Sequence, residues 1–202
     1  TILLQQGHNE FIEKYYEEIN EFLDRNFSVI CFDWRGQGKS ERNINDIHKQ
    51  YIRDFDIYNR DLNKILKDIV NPFFPKPLIA VGHSMGGCII LSALLDHNTE
   101  INASILMSPM LGFKNELVLS SLTFFLNLII DDKSYFLLSK PNMGRESPFK
   151  NNNVTSDRRR YERTQKLVRI DPSVRLWGVT LGWVNAAKKK LNSIRKEVRT
   201  NK

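Results

Sequence analysis

The residues Val81-Gly82-His83-Ser84-Met85-Gly86-Gly87-Cys88 constrain this chain more than any other stretch, because they place a G-x-S-x-G pentapeptide between a short buried strand and a helix. The strand is the uncharged run 77–81, closed off upstream by Pro72, Pro75 and Pro77, and the helix is the small, apolar run from Gly86 to Asp96. In that context the turn tightens until the serine projects alone from the sheet's edge, its hydroxyl free to act as a nucleophile. Gly82 and Gly86 fall where a side chain would collide with the neighbouring helix or strand. The competing reading is a glycine-rich turn whose serine merely caps the next helix, and the flanking strand weighs against it.

An acyl-transfer serine also needs donors aimed at the developing oxyanion. One is the backbone N–H of Met85, directly after Ser84 at a helix start. The second must come from another loop, and the candidate is Gln5-Gln6-Gly7-His8-Asn9-Glu10, with the N–H of His8 as donor. Taken alone, Gly7 reads equally as an ordinary strand-to-helix turn glycine. Residues 27–33 read as a buried strand ending in Trp34-Arg35-Gly36-Gln37-Gly38-Lys39-Ser40. A G-x-G suggests a phosphate cradle, but no third glycine and no helix pattern follow, which disfavours dinucleotide binding. The better reading is a reverse turn in which Asp33 and Arg35 organise the loop near Ser84.

Around these motifs strands and helices alternate. Asn9 is a candidate N-cap, and Phe11, Ile12, Tyr15, Tyr16, Ile19, Phe22 and Leu23 share one helical face, with Asn26 as the stop. Phe55, Tyr58, Leu62, Ile65, Leu66 and Ile69 form the stripe of a second helix, which Asn71-Pro72 ends. Residues 103–107 give a fourth strand. Strands that are apolar on both faces and separated by helices predict an α/β fold with a parallel sheet covered on both sides. The alternation breaks off after Gly112. An apolar stretch at 117–130, a loop rich in Asn, Pro and Gly, and a helix over 157–170 capped by Thr155 or Ser156 predict a helical insertion above the sheet's active edge. The apolar stretch is too short to span a bilayer, and it reads as a helix packed on the core or as an acyl-chain-binding lid.

These residues resemble the α/β-hydrolase family, and within it the lysophospholipase L2 and monoacylglycerol lipase group of serine hydrolases. The resemblance rests on residues 6–15, on Asp33-Trp34-Arg35-Gly36-Gln37-Gly38-Lys39-Ser40, on Asp54-Phe55-Asp56-Ile57-Tyr58 with Asp61-Leu62, and on Gly82-His83-Ser84-Met85-Gly86-Gly87. It continues through Ser156-Asp157-Arg158-Arg159-Arg160-Tyr161 and residues 178–184. It implies an α/β-hydrolase fold, a parallel sheet with a helical cap insertion, divided into a partial core over 1–112, a cap over 113–190 and a basic tail over 191–202. It implies a serine carboxylic-ester hydrolase in which Ser84 attacks an acyl-ester lipid, a lysophospholipid or monoacylglycerol, while Met85 and His8 hold the oxyanion. Where relatives carry a Gly-His pair before the aspartate-rich helix, this chain has Gln50-Tyr51.

In this family the acid and base follow the nucleophile in the order Ser, Asp, His. The histidines here are His8, His48, His83 and His97. The pair Asp96-His97 lies at the far end of the nucleophile helix, roughly 20 Å from Ser84 at about 1.5 Å rise per residue. His83 is expected to point away from Ser84 across the turn, and His8 to reach the site only by folding inward. With Thr1 inside an apolar strand and no strand pattern near the end, the expectation is a fold truncated at both ends. The triad acid and base are then absent, or supplied by a complementary C-terminal chain. Two alternatives accompany this reading: a catalytically silent lipid- or partner-binding remnant, and a serine aminopeptidase-like hydrolase.

Charge is uneven: residues 1–144 carry a net −4 and residues 145–202 a net +11. The basic part suits peripheral contact with anionic headgroups at an inner membrane face. No stacking aromatics or motif accompany it that would favour nucleic acid. Cys31 and Cys88 read as buried free thiols of a cytoplasmic protein, and no ligand spacing calls for a metal or an organic cofactor.

Overall fold

Short apolar runs with few charges become the strands of a parallel sheet. The computed structural model describes residues 1–96, 99–137, 148–152 and 154–200. Within them lie β1 (Ile2–Gln5), β2 (Val29–Ile30), β3 (Lys49–Gln50), β4 (Ile79–His83), β5 (Ala103–Met107) and β6 (Gly178–Val179). The main sheet has the order β2-β1-β4-β5, all parallel, and β3 pairs with β6 in a second parallel ribbon. The register sets Gln5 against Gly82 and His83 against Met107. It therefore brings the loop after β1 and the turn after β4 to the same end of the sheet, where sites of open α/β sheets form.

Alternation along β1 divides the core. Leu3 faces a large cluster with Trp34, Phe55, Tyr58, Leu62, Ile89, Ile90 and Leu181, whereas Ile2 and Leu4 join Val81 beneath Tyr15, Ile19 and Phe22. Trp34 contacts Tyr58 edge-on at 5.8 Å, Tyr58 meets Phe55 at 5.2 Å, and Phe55 meets Trp183 at 5.5 Å, a chain of aromatic contacts running from the core into the last helix.

The helices are α1 (Tyr16–Leu23), α2 (Asp56–Ile65), α3 (Asn71–Phe73), α4 (Met85–Leu95), α5 (Glu116–Leu126), α6 (Arg158–Ile170) and α7 (Leu181–Thr200). Several differ from the sequence expectation for physical reasons. A 3-10 turn over Ile12–Tyr15 opens the first helix. Asn9 adopts a left-handed backbone (φ 57°) and accepts from Leu176 N instead of capping it. Pro72 does not end the second helix. A π turn over Leu66–Val70 leads into α3, and the wider turn rotates the stripe so that Ile69 is 46% exposed while Val70 is buried. Residues 27–33 pair only at Val29–Ile30. β5 is covered on one side alone, leaving Ile105 and Met107 more than half exposed. Asp157, whose side chain accepts from Arg160 N, caps α6, not Thr155 or Ser156.

The basic segment from Leu191 continues α7 to Thr200, with Leu191 and Ile194 packed against Cys88. Cations of α7 pair with carboxylates elsewhere in the fold: Lys189 with Asp54 and Lys190 with Asp56 just before that segment, and Arg195 with Glu116 within it. Both cysteines are free, Cys88 buried and Cys31 half-buried. Among the described residues no helix is long and apolar enough to cross a membrane. His97 and most of the Asn- and Pro-containing loop lie outside the described residues.

Candidate active site

Ser84 sits between β4 and α4 with φ 49° and ψ −112°, a backbone conformation that a residue with a side chain adopts only when its surroundings impose it. Its amide donates to Met107 O at 3.0 Å, and its carbonyl accepts from Cys88 N and Met110 N. Glycines make the turn possible. A Cβ on Gly86 would stand 2.7 Å from Gln6 O and 2.8 Å from Gln5 O, and one on Gly82 would stand 2.8 Å from the Gly87 backbone. The end of β1 and the start of α4 thus touch backbone to backbone.

The loop after β1 lies directly beside the serine, since a Cβ on Gly7 would meet Ser84 Cβ at 3.0 Å and His83 Nδ1 at 3.1 Å. Three buried side chains brace it. Gln37 Nε2 donates to Gly7 O and Glu10 O, and its Oε1 accepts from Asn9 N. Trp34 Nε1 donates to Gln6 O at 3.1 Å. Asp33 accepts from Gln6 Nε2, Ile12 N and Lys39 N, while burial pushes its carboxyl upward against those bonds. Gly38, at φ +54°, has no room for a side chain because a Cβ would overlap the Asp33 carboxylate. The G-Q-G turn is therefore a brace for the loop beside Ser84. Arg35 has no part in it: both its Nε and Nη2 bind Asp61 at 2.8 Å, tying the turn to α2.

Glu10 is the loop's charged centre. Its Oε2 accepts from Gly7 N, Tyr15 Oη and His83 Nδ1 at 2.7–2.8 Å, and its Oε1 accepts from Lys14 Nζ at 2.6 Å. Burial opposes its charge, but the bonds from His83, Lys14 and Tyr15 outweigh it and hold the carboxyl far below its usual range. The same bond raises His83. Contrary to the sequence expectation, the His83 ring faces the loop and lines the cleft that Ser84 lines. His8 also lines it, packs on the Trp183 ring at 5.2 Å, and leaves a buried Nε2 without a partner. Burial lowers its pKa to about 4, against a smaller opposing pull from Glu10.

The cleft encloses about 750 Å3. Leu4, Phe22, Val81, Met107 and Val154 supply apolar wall, and α1 and α6 supply Glu18, Arg160, Tyr161 and Arg163. No residue of the apolar 117–130 stretch lines it. The buried side of α5, Leu119, Thr123 and Leu126, instead packs on the core. A groove of about 960 Å3 along α6 contains no residue of the serine turn or its loop. Met85 is the first residue of α4, where amides lack intrahelical acceptors. Ser84, Met85 and His8 are thus brought to one place. Glu10, Gln37, Glu18 and the α6 arginines were not singled out as site residues by the sequence. The only signal for Gln37 was its position between two glycines.

The whole chain, residues 1–202, matches the family model Hydrolase_4, described as serine aminopeptidase, S33. Lysophospholipase L2 of Escherichia coli (strain K12) is 29% identical over 190 residues, 91% of this chain and 55% of that protein. Monoglyceride lipase of Rattus norvegicus is 29% identical over 111 residues, 54% of this chain and 35% of the relative. The chain therefore spans little more than half the length of the first of these relatives and about a third of the second. A thermostable carboxyl esterase from Bacillus coagulans shares the fold with a TM-score of 0.72 at 18% identity, covering 96% of this chain and 64% of that one. A monoglyceride lipase from Saccharomyces cerevisiae, crystallised with a substrate analogue, gives 0.65 at 19%, covering 96% and 60%.

Proposed function

The chain belongs to the Hydrolase_4 family, serine aminopeptidase S33, and from that premise we propose that it is an ester hydrolase of lysophospholipase or monoacylglycerol lipase type with Ser84 as nucleophile. The observation that carries this reading is the left-handed backbone of Ser84 at the strand-to-helix turn, with Gly7 packed against its Cβ. Ser84 Oγ attacks the ester carbonyl, and the N–H groups of Met85 and His8 hold the oxyanion until the alcohol leaves and an acyl-enzyme remains. Water then releases the fatty acid. The apolar side of the cleft, Leu4, Phe22, Val81 and Met107, receives the acyl chain.

Neither histidine in the cleft is bonded to Ser84: His83 spends Nδ1 on Glu10, and His8 Nε2 has no partner. Turnover by this chain alone is accordingly feeble, on the order of the 10³–10⁴-fold over water that binding and an oxyanion hole give without a complete triad. The test is a comparison of p-nitrophenyl acyl esters with aminoacyl p-nitroanilides. Slow ester hydrolysis with no amide cleavage is expected, and cleavage of the anilide at a higher rate than the ester would replace this reading with an aminopeptidase.

A further inference from the structure

Gln50 is a fully buried amide that takes no part in the chemistry proposed above. It lies on β3, the two-residue strand that pairs with β6 outside the main sheet, and its carbonyl accepts from Thr180 N at 3.0 Å and Thr180 Oγ1 at 2.9 Å. Its side-chain Nε2 donates to Gln37 Oε1 at 3.2 Å and to Tyr58 Oη at 3.3 Å, with Met85 Sδ at 3.9 Å. Its Oε1 is buried without a partner. An apolar side chain of the same size would fill this place without an orphaned acceptor, so what the amide adds is the donor.

What the donor does follows from Gln37. The carbonyls of Gly7 and Glu10 accept from Gln37 Nε2, and Asn9 N donates to its Oε1, so the way that amide faces is fixed and Oε1 is the atom Gln50 meets. A second donor on the same oxygen holds Gln37 in place, and Gln37 in turn binds the residues on both sides of His8. Thr180 Oγ1 also accepts from Trp183 N, and the Trp183 ring packs on His8. Gln50 therefore joins the frames of both backbone donors: that of His8 through Gln37 and Trp183, and that of Met85 through its side chain.

We propose that Gln50 is a positioning residue of the oxyanion site: its amide fixes Gln37, and with it the spacing between the N–H groups of His8 and Met85. This rests on the ester-hydrolase reading above and adds a residue to it. Gln50 does not line the cleft, so it touches no substrate. Its effect falls where negative charge develops on the substrate, which makes it an effect on rate and not on affinity. A displacement of about 1 Å costs on the order of 10²-fold, and a smaller shift of one donor about tenfold.

The test is Gln50→Met in the full chain, which keeps the side chain's length and removes the donor and the orphaned acceptor together. The probe is a fluorophosphonate, whose phosphoryl oxygen takes the oxyanion's place as Ser84 Oγ bonds to phosphorus, fluoride leaves and the serine proton passes to water. The rate of Ser84 adduct formation, followed over probe concentration, separates the maximal rate from probe affinity. The maximal rate is expected to fall about tenfold, with the half-saturating concentration within about twofold and the urea midpoint unchanged. Gln37→Met should give the same fall, and the double variant no further fall, because both act through one loop. An unchanged maximal rate in Gln50→Met, a loss confined to probe affinity, a lowered urea midpoint, or additive losses in the double variant would overturn the role while the nucleophile assignment stands. Absence of a Ser84 adduct in the parent would instead remove the hydrolase reading, and this role with it.

Discussion

Gly86→Val is expected to cost roughly 3 kcal/mol or more in unfolding free energy, at or beyond the upper end for overpacked cores and a large part of a domain's ~5–15 kcal/mol. The reason is what the new Cβ meets. At Gly86 the neighbours within 3 Å are the carbonyl oxygens of Gln5 and Gln6, held by β1's pairing and by Trp34 Nε1, so relief requires moving the sheet or the loop beside Ser84. Gly112 is the control. A Cβ there stands equally close, 2.7–2.8 Å, to Arg195 Nη2 and Glu116 Oε1, which are the ends of flexible, partly exposed side chains. Gly112→Ala should therefore cost less than about 1 kcal/mol. Urea unfolding of both variants beside the parent checks this. Equal stabilities for the two would mean that the approach of β1 to α4 is looser than described.

The second large effect is on pH. Folding lowers the pKa of His8 from 6.5 to about 4, so the folded state favours the neutral ring. The stability this gives is present above pH 6.5 and is lost as the pH falls through about 4. At about 1.4 kcal/mol per unit, and allowing for partial exposure of the ring, the loss between pH 7 and pH 4 amounts to ~2–3 kcal/mol. Neighbouring titrations are shared with a His8→Gln variant and cancel against it. Glu10, lowered, begins to lose its contribution as the pH falls below its unfolded value of 4.5, and His83, raised, contributes in full below pH 6.5. The parent is expected to lose this amount relative to His8→Gln over the same range. Parallel pH profiles for the two proteins would show that His8 is not held neutral by its surroundings.

The parallel sheet, the serine turn and the neighbouring loop were legible because each rests on local rules: apolar runs between breakers, and glycines where a Cβ cannot fit. What was not legible depends on tertiary partners. His83 adjoins Ser84 in sequence, yet its orientation is set by Glu10, which lies 73 residues away in the chain. Arg35 reads as a loop organiser until Asp61 is seen to take two of its donors. Helical periodicity assigned Ile69 to the core because it assumes 3.6 residues per turn, and a single π turn exchanged it with Val70. For the apolar 117–130 stretch composition left two readings, a helix packed on the core and a lid; its buried side packs on the core, and the cleft draws its walls from the less apolar α1 and α6. Composition registers how much apolar surface a helix carries but not which neighbour it covers.

The nucleophilic role of Ser84 is tested most directly by prolonged incubation of the chain with a fluorophosphonate, followed by proteolysis and tandem mass spectrometry of the adduct. Reaction should be slow, for want of a base on Ser84 Oγ, and should place a single phosphonate on the peptide containing Ser84, with no adduct in Ser84→Ala. An adduct on another residue, or undiminished labelling of Ser84→Ala, would contradict the assignment.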